Sequence, residues 1–98
     1  MAEVRWTEQA VSDLDRAAEY IGLDFYEYGS VFVMAALDAV KRLEGLPLAS
    51  HMVHELEQEE IREIHVMSHR IIFRYRNDLV EVLTVIGFRE ALRRGRLG

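Results

Sequence analysis

The 98-residue sequence predicts an α+β fold: an N-terminal strand, an antiparallel helical hairpin packed on a three- to four-stranded, mainly antiparallel sheet, and a short basic C-terminal helix or tail. Three observations carry this. From Ile61 to Arg89 the chain breaks at turn-forming residues into three short runs rich in Ile, Val, Phe and Tyr, types that suit a pleated, half-buried surface. Ahead of them lie two stretches whose apolar residues recur three and four apart, the helical period. The hairpin those stretches would form has an apolar face that needs a cover, and the three runs are the only segment large enough to supply it.

Glu3 to Trp6 alternates apolar and polar residues as a brief edge strand, and Thr7 is a good N-cap with Glu8 at the positive end of the helix it opens. From Glu8 to about Phe25, the residues Ala10, Val11, Leu14, Ala17, Ala18, Ile21 and Phe25 make one amphipathic stripe. The acids Asp13, Asp15, Glu19 and Asp24 lie mostly off that stripe and are expected in solvent. Tyr26 to Gly29 interrupts the pattern, Gly29 supplying permissive backbone and Ser30 a cap for a second helix, about Val31 to Glu44. Phe32, Ala35, Ala36, Ala39 and Leu43 form its inner face, the small residues allow close helix approach, and Gly45 with Pro47 ends it.

Leu46 to Glu60 is irregular. His51 and His54 stand near carboxylates there, but without a fixed ligand motif, so no metal or other cofactor is expected. Turns at Met67-Ser68 and Asn77-Asp78 then divide the β-rich runs into a meander. In the first run Arg62, Ile64 and Val66 oppose Glu63, His65 and Met67, with His69 continuing on the latter side. In the second, Arg70, Ile72, Arg74 and Arg76 oppose Ile71, Phe73 and Tyr75. Arginine therefore recurs on one sheet face. That face is either a wet surface whose arginines pair with the abundant glutamates, or a concave cationic surface for an acidic partner. After Arg89 a short helical turn and a frayed basic tail are expected, whose arginines, Arg93 and Arg94 among them, either contact an acidic partner or keep the tail solvated.

Composition narrows the function classes. The length suits one domain over 1–98 with a single core. No cysteine is present, which removes disulfides and thiolate chemistry. No long apolar run or leader pattern is seen, so a soluble cytoplasmic protein with no membrane partner is expected. The net charge of −5 hides an asymmetry. Residues 1–60 hold thirteen acids and four bases, net −9, whereas residues 61–98 hold four acids and eight arginines, net +4. A chain that grips a nucleic-acid backbone would be basic throughout, so no direct specific nucleic-acid binding is expected.

The element order, together with the phrases Val4-Arg5-Trp6-Thr7, Ala10-Val11-Ser12-Asp13-Leu14, Tyr20-Ile21, Arg42-Leu43-Glu44, Ile61-Arg62-Glu63-Ile64, His69-Arg70-Ile71-Ile72-Phe73-Arg74 and Val82-Leu83-Thr84-Val85-Ile86, resembles the RelE/ParE superfamily of bacterial toxins. It is most similar to the ParE branch, the plasmid stabilisation proteins. The resemblance implies a cytoplasmic toxin neutralised in a hetero-oligomer by a cognate antitoxin whose C-terminal segment wraps it. ParE-type members poison DNA gyrase, whereas RelE-type members cut mRNA on the ribosome. The resemblance carries over Arg62, Arg70 and Arg89 as site residues and Glu55 as the acid of the loop phrase. The loop's usual Gly-Arg is Ser50-His51 here, the tyrosine before the second-strand arginine is His69, and the histidine after the last strand is absent.

Metal-free RNA cleavage needs a base, an acid and a cation for the developing phosphorane charge. The only lysine is Lys41, in the second helix, and Phe88 has no proton to give. Arg62, Arg70 and Arg74 stay protonated, so they stabilise charge but are poor bases. Glu63 and His65 alternate to the face opposite Arg62. These arguments lean against catalysis, and with them the resemblance implies a non-catalytic toxin that inhibits gyrase, Arg62, Arg70, Arg74, Arg89, Arg93 and Arg94 being the antitoxin- or target-binding residues. The alternatives are an mRNA endonuclease using Arg62, Arg70 and Arg89, and a degenerate member that only binds antitoxin.

Overall fold

In the computed structural model, which describes residues 1–97, the chain runs β1 (Glu3–Trp6), α1 (Glu8–Ile21), α2 (Tyr26–Arg42), β2 (His51–Met52), β3 (Ile61–Val66), β4 (His69–Arg76) and β5 (Leu79–Gly87), then a 3-10 helix, Arg94–Leu97. The strands form one mixed sheet in the order β1-β5-β4-β3-β2. The antiparallel meander is the one expected, and the N-terminal strand joins it in parallel, with Val4 opposite Val80 and Trp6 opposite Val82. A fifth strand lies in the segment expected to be irregular, where His51 pairs with Glu63 and Met52 with Arg62.

Both expected turns form. Asn77 and Asp78 take φ of 51° and 60°, the doubly left-handed pair whose twist matches that of the strands it joins. Met67, with φ of 54°, makes the other. Opposite β4, β5 carries a bulge: Ile72 opposes Thr84 and Phe73 opposes Val82, which leaves Leu83 unpaired. The slip lets Leu83 join one side of the sheet while Val82 and Val85 face the other.

Thr7 caps α1 as expected, its hydroxyl accepting from the Ala10 amide at 3.1 Å. The helix boundaries that follow differ from the sequence reading. α1 stops at Ile21, Phe25 becomes the N-cap of α2, and α2 starts at Tyr26, not near Val31. Gly29 is therefore a buried helical residue and not a turn. A Cβ there would meet the Ala18 carbonyl oxygen at 2.7 Å, so Gly29 is the point where the two helix backbones touch. Gly29→Ala gains about 1 kcal/mol of helix propensity but must push apart packed backbone, which typically costs more. A net loss of about 1–2 kcal/mol is expected in urea unfolding, and a more stable variant would show that the helices separate freely.

The helices cover one face of the sheet. Leu14, Ala17, Phe32, Ala36 and Val40 pack with Val66, Ile71, Phe73, Val80, Val82 and Val85. The opposite face, read from the sequence as either a wet surface or a cationic one for a partner, holds a second cluster of Val53, Leu56, Ile61, Ile72, Leu83 and Ile86, closed by Leu92 and Leu97. The C-terminal segment is thus docked, not frayed. Its two leucines and the Val53–Leu56 turn bury the far side of β4 and β5, which explains why those strands read as near-continuous apolar runs.

Candidate functional site

Cross-strand register decides which arginines share a face. Arg62 stands opposite Phe73, whereas Arg70 stands opposite His65 and Arg74 opposite Ile61. Phe73 belongs to the helix-side core and Ile61 to the far cluster. Arg62 and Arg70 therefore lie on opposite faces, and the single arginine-bearing face inferred from alternation within each run is corrected. The two-residue turn at Met67-Ser68 sets the inter-strand phase, which alternation within a strand does not reveal.

Arg70 is buried, with 4% of its side chain exposed. Its Nε donates to Glu63 Oε2 at 3.0 Å. Nη1 donates to Glu55 Oε2 at 2.9 Å and to the Glu90 carbonyl at 3.3 Å. Nη2 donates to Glu55 Oε1 at 2.7 Å and to Glu63 Oε2 at 2.6 Å. A guanidinium has five N–H groups, and every one is engaged. Glu55 also accepts from the Leu92 amide at 3.0 Å, so one ionic knot joins the 53–60 loop, β3, β4 and the C-terminal segment.

The Arg70 hydrogen bonds, helped by the Leu92 amide, hold the Glu55 carboxyl at a pKa of about 2 against burial, which opposes them. Arg70 in turn is held above its ordinary value, chiefly by Glu55. Because the folded pKa of Glu55 is depressed, its contribution is complete above the unfolded value of 4.5 and is lost as pH falls toward 2. At pH 7, Glu55→Gln should be less stable by about 2–3 kcal/mol, and its curve of stability against pH should converge on that of the wild type near pH 2. Parallel curves in urea titrations would contradict this.

The remaining arginines divide into paired and free. Arg62 donates from Nε to the Ser50 hydroxyl at 2.7 Å and from Nη2 to the Ser50 carbonyl at 2.8 Å. Ser50 thereby fastens the loop to β3. Arg74 lies between Glu60 at 3.7 Å and Glu81 at 3.6 Å. For Arg70 and Arg74 the pairing with glutamates is what the structure contains. Arg89, Arg93 and Arg94 are exposed and make no ion pair among the described residues.

The histidines separate as well. His65 donates from Nε2 to the Glu63 carboxylate at 2.7 Å, stacks on His51 with ring centroids 5.1 Å apart, and meets the edge of Phe88 at 4.7 Å. His69 is on the other face, against Phe32 at 5.0 Å, so the common face read for these two histidines is also corrected. Burial lowers the pKa of His69. Among the described residues no group of three metal-ligating side chains is assembled.

Sequence reasoning missed Asp13, placed in solvent but 2% exposed. Its carboxylate accepts from the buried Thr84 hydroxyl and from Gln9 at 2.9 Å, and pairs with Arg16 at 3.5 Å and Arg96 at 3.4 Å. Asp13 stands three residues after Ala10 and four before Ala17, the spacing of the apolar stripe itself, and that spacing was the available signal. It ties α1 to β5 and to the C-terminal 3-10 helix.

A helical hairpin on one face of a mixed five-stranded sheet is an α+β fold like that of the ParE and RelE toxins. The chain belongs to the ParE toxin family: the family described as ParE toxin of type II toxin-antitoxin system, parDE, matches residues 4–92. No curated protein matches. Among solved structures, a chain of the chromosomal ParDE toxin–antitoxin system of P. aeruginosa is similar at 21% identity with a TM-score of 0.71, covering 89% of this chain and 96% of that one. A chain of the RelBE2 toxin–antitoxin complex of Mycobacterium tuberculosis is similar at 19% identity and TM-score 0.63, covering 88% and 96%. A conserved hypothetical protein of Helicobacter pylori is similar at 17% and 0.56, covering 92% and 98%. At these identities the structural likenesses speak for the fold.

Proposed function

We propose that this member of the ParE toxin family acts in the cytoplasm by binding and inhibiting DNA gyrase, without making or breaking bonds, and is neutralised in a hetero-oligomer by a cognate antitoxin. The observation that carries the binding reading is the saturation of Arg70. All its donors are spent on Glu55, Glu63 and the Glu90 carbonyl, and Arg62 is on the other face. A phosphoryl-transfer site needs cationic donors aimed at one developing charge, and these two arginines do not converge on one. The free cations, Arg89, Arg93 and Arg94, sit on the C-terminal segment, where they suit contact with a partner's acidic surface.

A supercoiling assay with purified gyrase tests the proposal. The protein is expected to inhibit supercoiling, and inhibition should weaken when Arg93 and Arg94 are both changed to Glu. Full gyrase activity in the presence of excess folded protein would refute it. The runner-up, ribosome-dependent mRNA cleavage, is favoured by one feature: the Glu63-bonded imidazole of His65, 39% exposed, is an oriented candidate base. Translation-coupled mRNA cleavage abolished by His65→Gln would select that reading. Survival of cells expressing the protein alone would select a member that has lost toxicity.

A further inference from the structure

A cavity of about 580 Å³ opens between α1 and the end of β5, lined by Arg16, Tyr20, His69, Phe88, Arg89 and Arg96 among others. That size lies within the range of about 300–1,000 Å³ typical of ligand sites. Its charge can be counted. Arg16 and Arg96 share Asp13 at 3.5 and 3.4 Å, and Arg96 also approaches Glu90 at 3.9 Å. Three guanidiniums against two carboxylates leave one positive charge, and Arg89 is the cation with no ion pair among the described residues. Burial favours neutral His69, which therefore adds no second charge.

Most of the rest of the wall is apolar, with Ala17, Val85, Tyr20 and Phe88 beside Ser68, and Tyr20 and Phe88 are 71% and 47% exposed. Such a site matches a group with one negative charge on an apolar body. A polyanion is disfavoured, because the cavity offers a single uncompensated positive charge and the chain is net −5. A carboxylate side chain flanked by bulky apolar residues meets both conditions, and a partially desolvated carboxylate on an arginine is a strong, orienting contact.

We propose that this cavity is the anchor site for an acidic–apolar peptide segment of the neutralising partner chain, its carboxylate on Arg89 and its apolar side chains against Tyr20, Val85 and Phe88. This inference rests on the reading of the protein as an antitoxin-bound toxin and specifies the chemistry of the contact. A segment that orders on binding gains most from a preformed hollow that fixes one residue, with weaker contacts following along the surface.

The first test titrates the ¹⁵N-labelled full chain with the blocked tripeptide acetyl-leucyl-aspartyl-phenylalanine amide, its asparagine counterpart and a short oligouridylate, followed by NMR. Shifts are expected at the amides of the cavity walls, with the aspartyl peptide binding about tenfold tighter than the asparaginyl one. Arg89→Gln should erase that preference, whereas Arg5→Gln, which removes the same charge from β1, should not. Equal binding of the two peptides, shifts elsewhere on the molecule, or tighter binding of the oligouridylate would overturn the proposal.

The second test measures the complex with the product of the adjacent reading frame. Tyr20→Ala with Arg89→Gln, both at exposed positions, is expected to weaken it at least about tenfold. Undiminished affinity would overturn the cavity's role while leaving the toxin reading intact. Failure of the wild-type chain to form any such complex would count against the toxin reading, and the peptide titration would still decide whether the cavity binds.

Discussion

Arg70→Met is expected to cost about 3–5 kcal/mol of unfolding free energy, because it leaves the carboxylates of Glu55 and Glu63 facing each other in a site from which their shared cation has gone. Removing one partner of a buried pair is far more damaging than replacing the whole pair, since the remaining charge keeps its desolvation cost. For a domain of this size each kcal/mol shifts the melting temperature by about 4–8 °C, so a drop of at least about 12 °C should be seen by circular dichroism. Arg70→Lys is expected to recover little, because an ammonium cannot reproduce the forked contacts to two carboxylates. Arg62→Ala gives the contrast. It loses bonds to Ser50 at a half-buried site and should cost only about 1 kcal/mol. A stable Arg70→Met protein that had merely lost antitoxin affinity would show that Arg70 serves the interface and not the fold.

Asp13→Ala is the second large effect expected, about 2–3 kcal/mol. It strands the Thr84 hydroxyl, 0% exposed, and releases Arg16 and Arg96 together. The change should be felt along the chain as well as at the site. Arg96 belongs to the 3-10 helix whose neighbour Leu97, with Leu92, closes the far-side cluster. Loosening of that segment should appear as faster amide exchange from Leu92 to Leu97 and, because Leu92 donates to Glu55, as partial loss of the acid-dependent stability assigned to that carboxylate. Unchanged exchange in the C-terminal segment would mean that its leucines hold it without Asp13.

These expectations assign distinct roles to residues that look alike in the sequence. Of the arginines carried over from the family resemblance, Arg70 is a structural fastening, Arg62 fixes a loop, and Arg89 remains available. The same chemical group serves stability where its donors converge on buried carboxylates, and recognition where they reach solvent.

What the amino-acid sequence determined by itself is the set of elements and their order. The period of apolar residues distinguishes helix from strand locally, and Thr7, Asn77 and Asp78 mark their boundaries with side chains or backbone angles that few other residues supply. The limits of the hairpin were less legible. Gly29 has one signature for a turn and for a close helix contact, and only the approach of Ala18 tells them apart. Tertiary structure alone decided that β4 and β5 are covered on both faces, that Arg62 and Arg70 point away from each other, and that Asp13 is buried. Each of these depends on a contact between residues distant in the chain: the phase across a two-residue turn, the return of the C-terminal leucines, and a carboxylate on the first helix meeting a hydroxyl on the last strand. Local patterns set what each segment is, but burial and charge pairing belong to the assembled molecule.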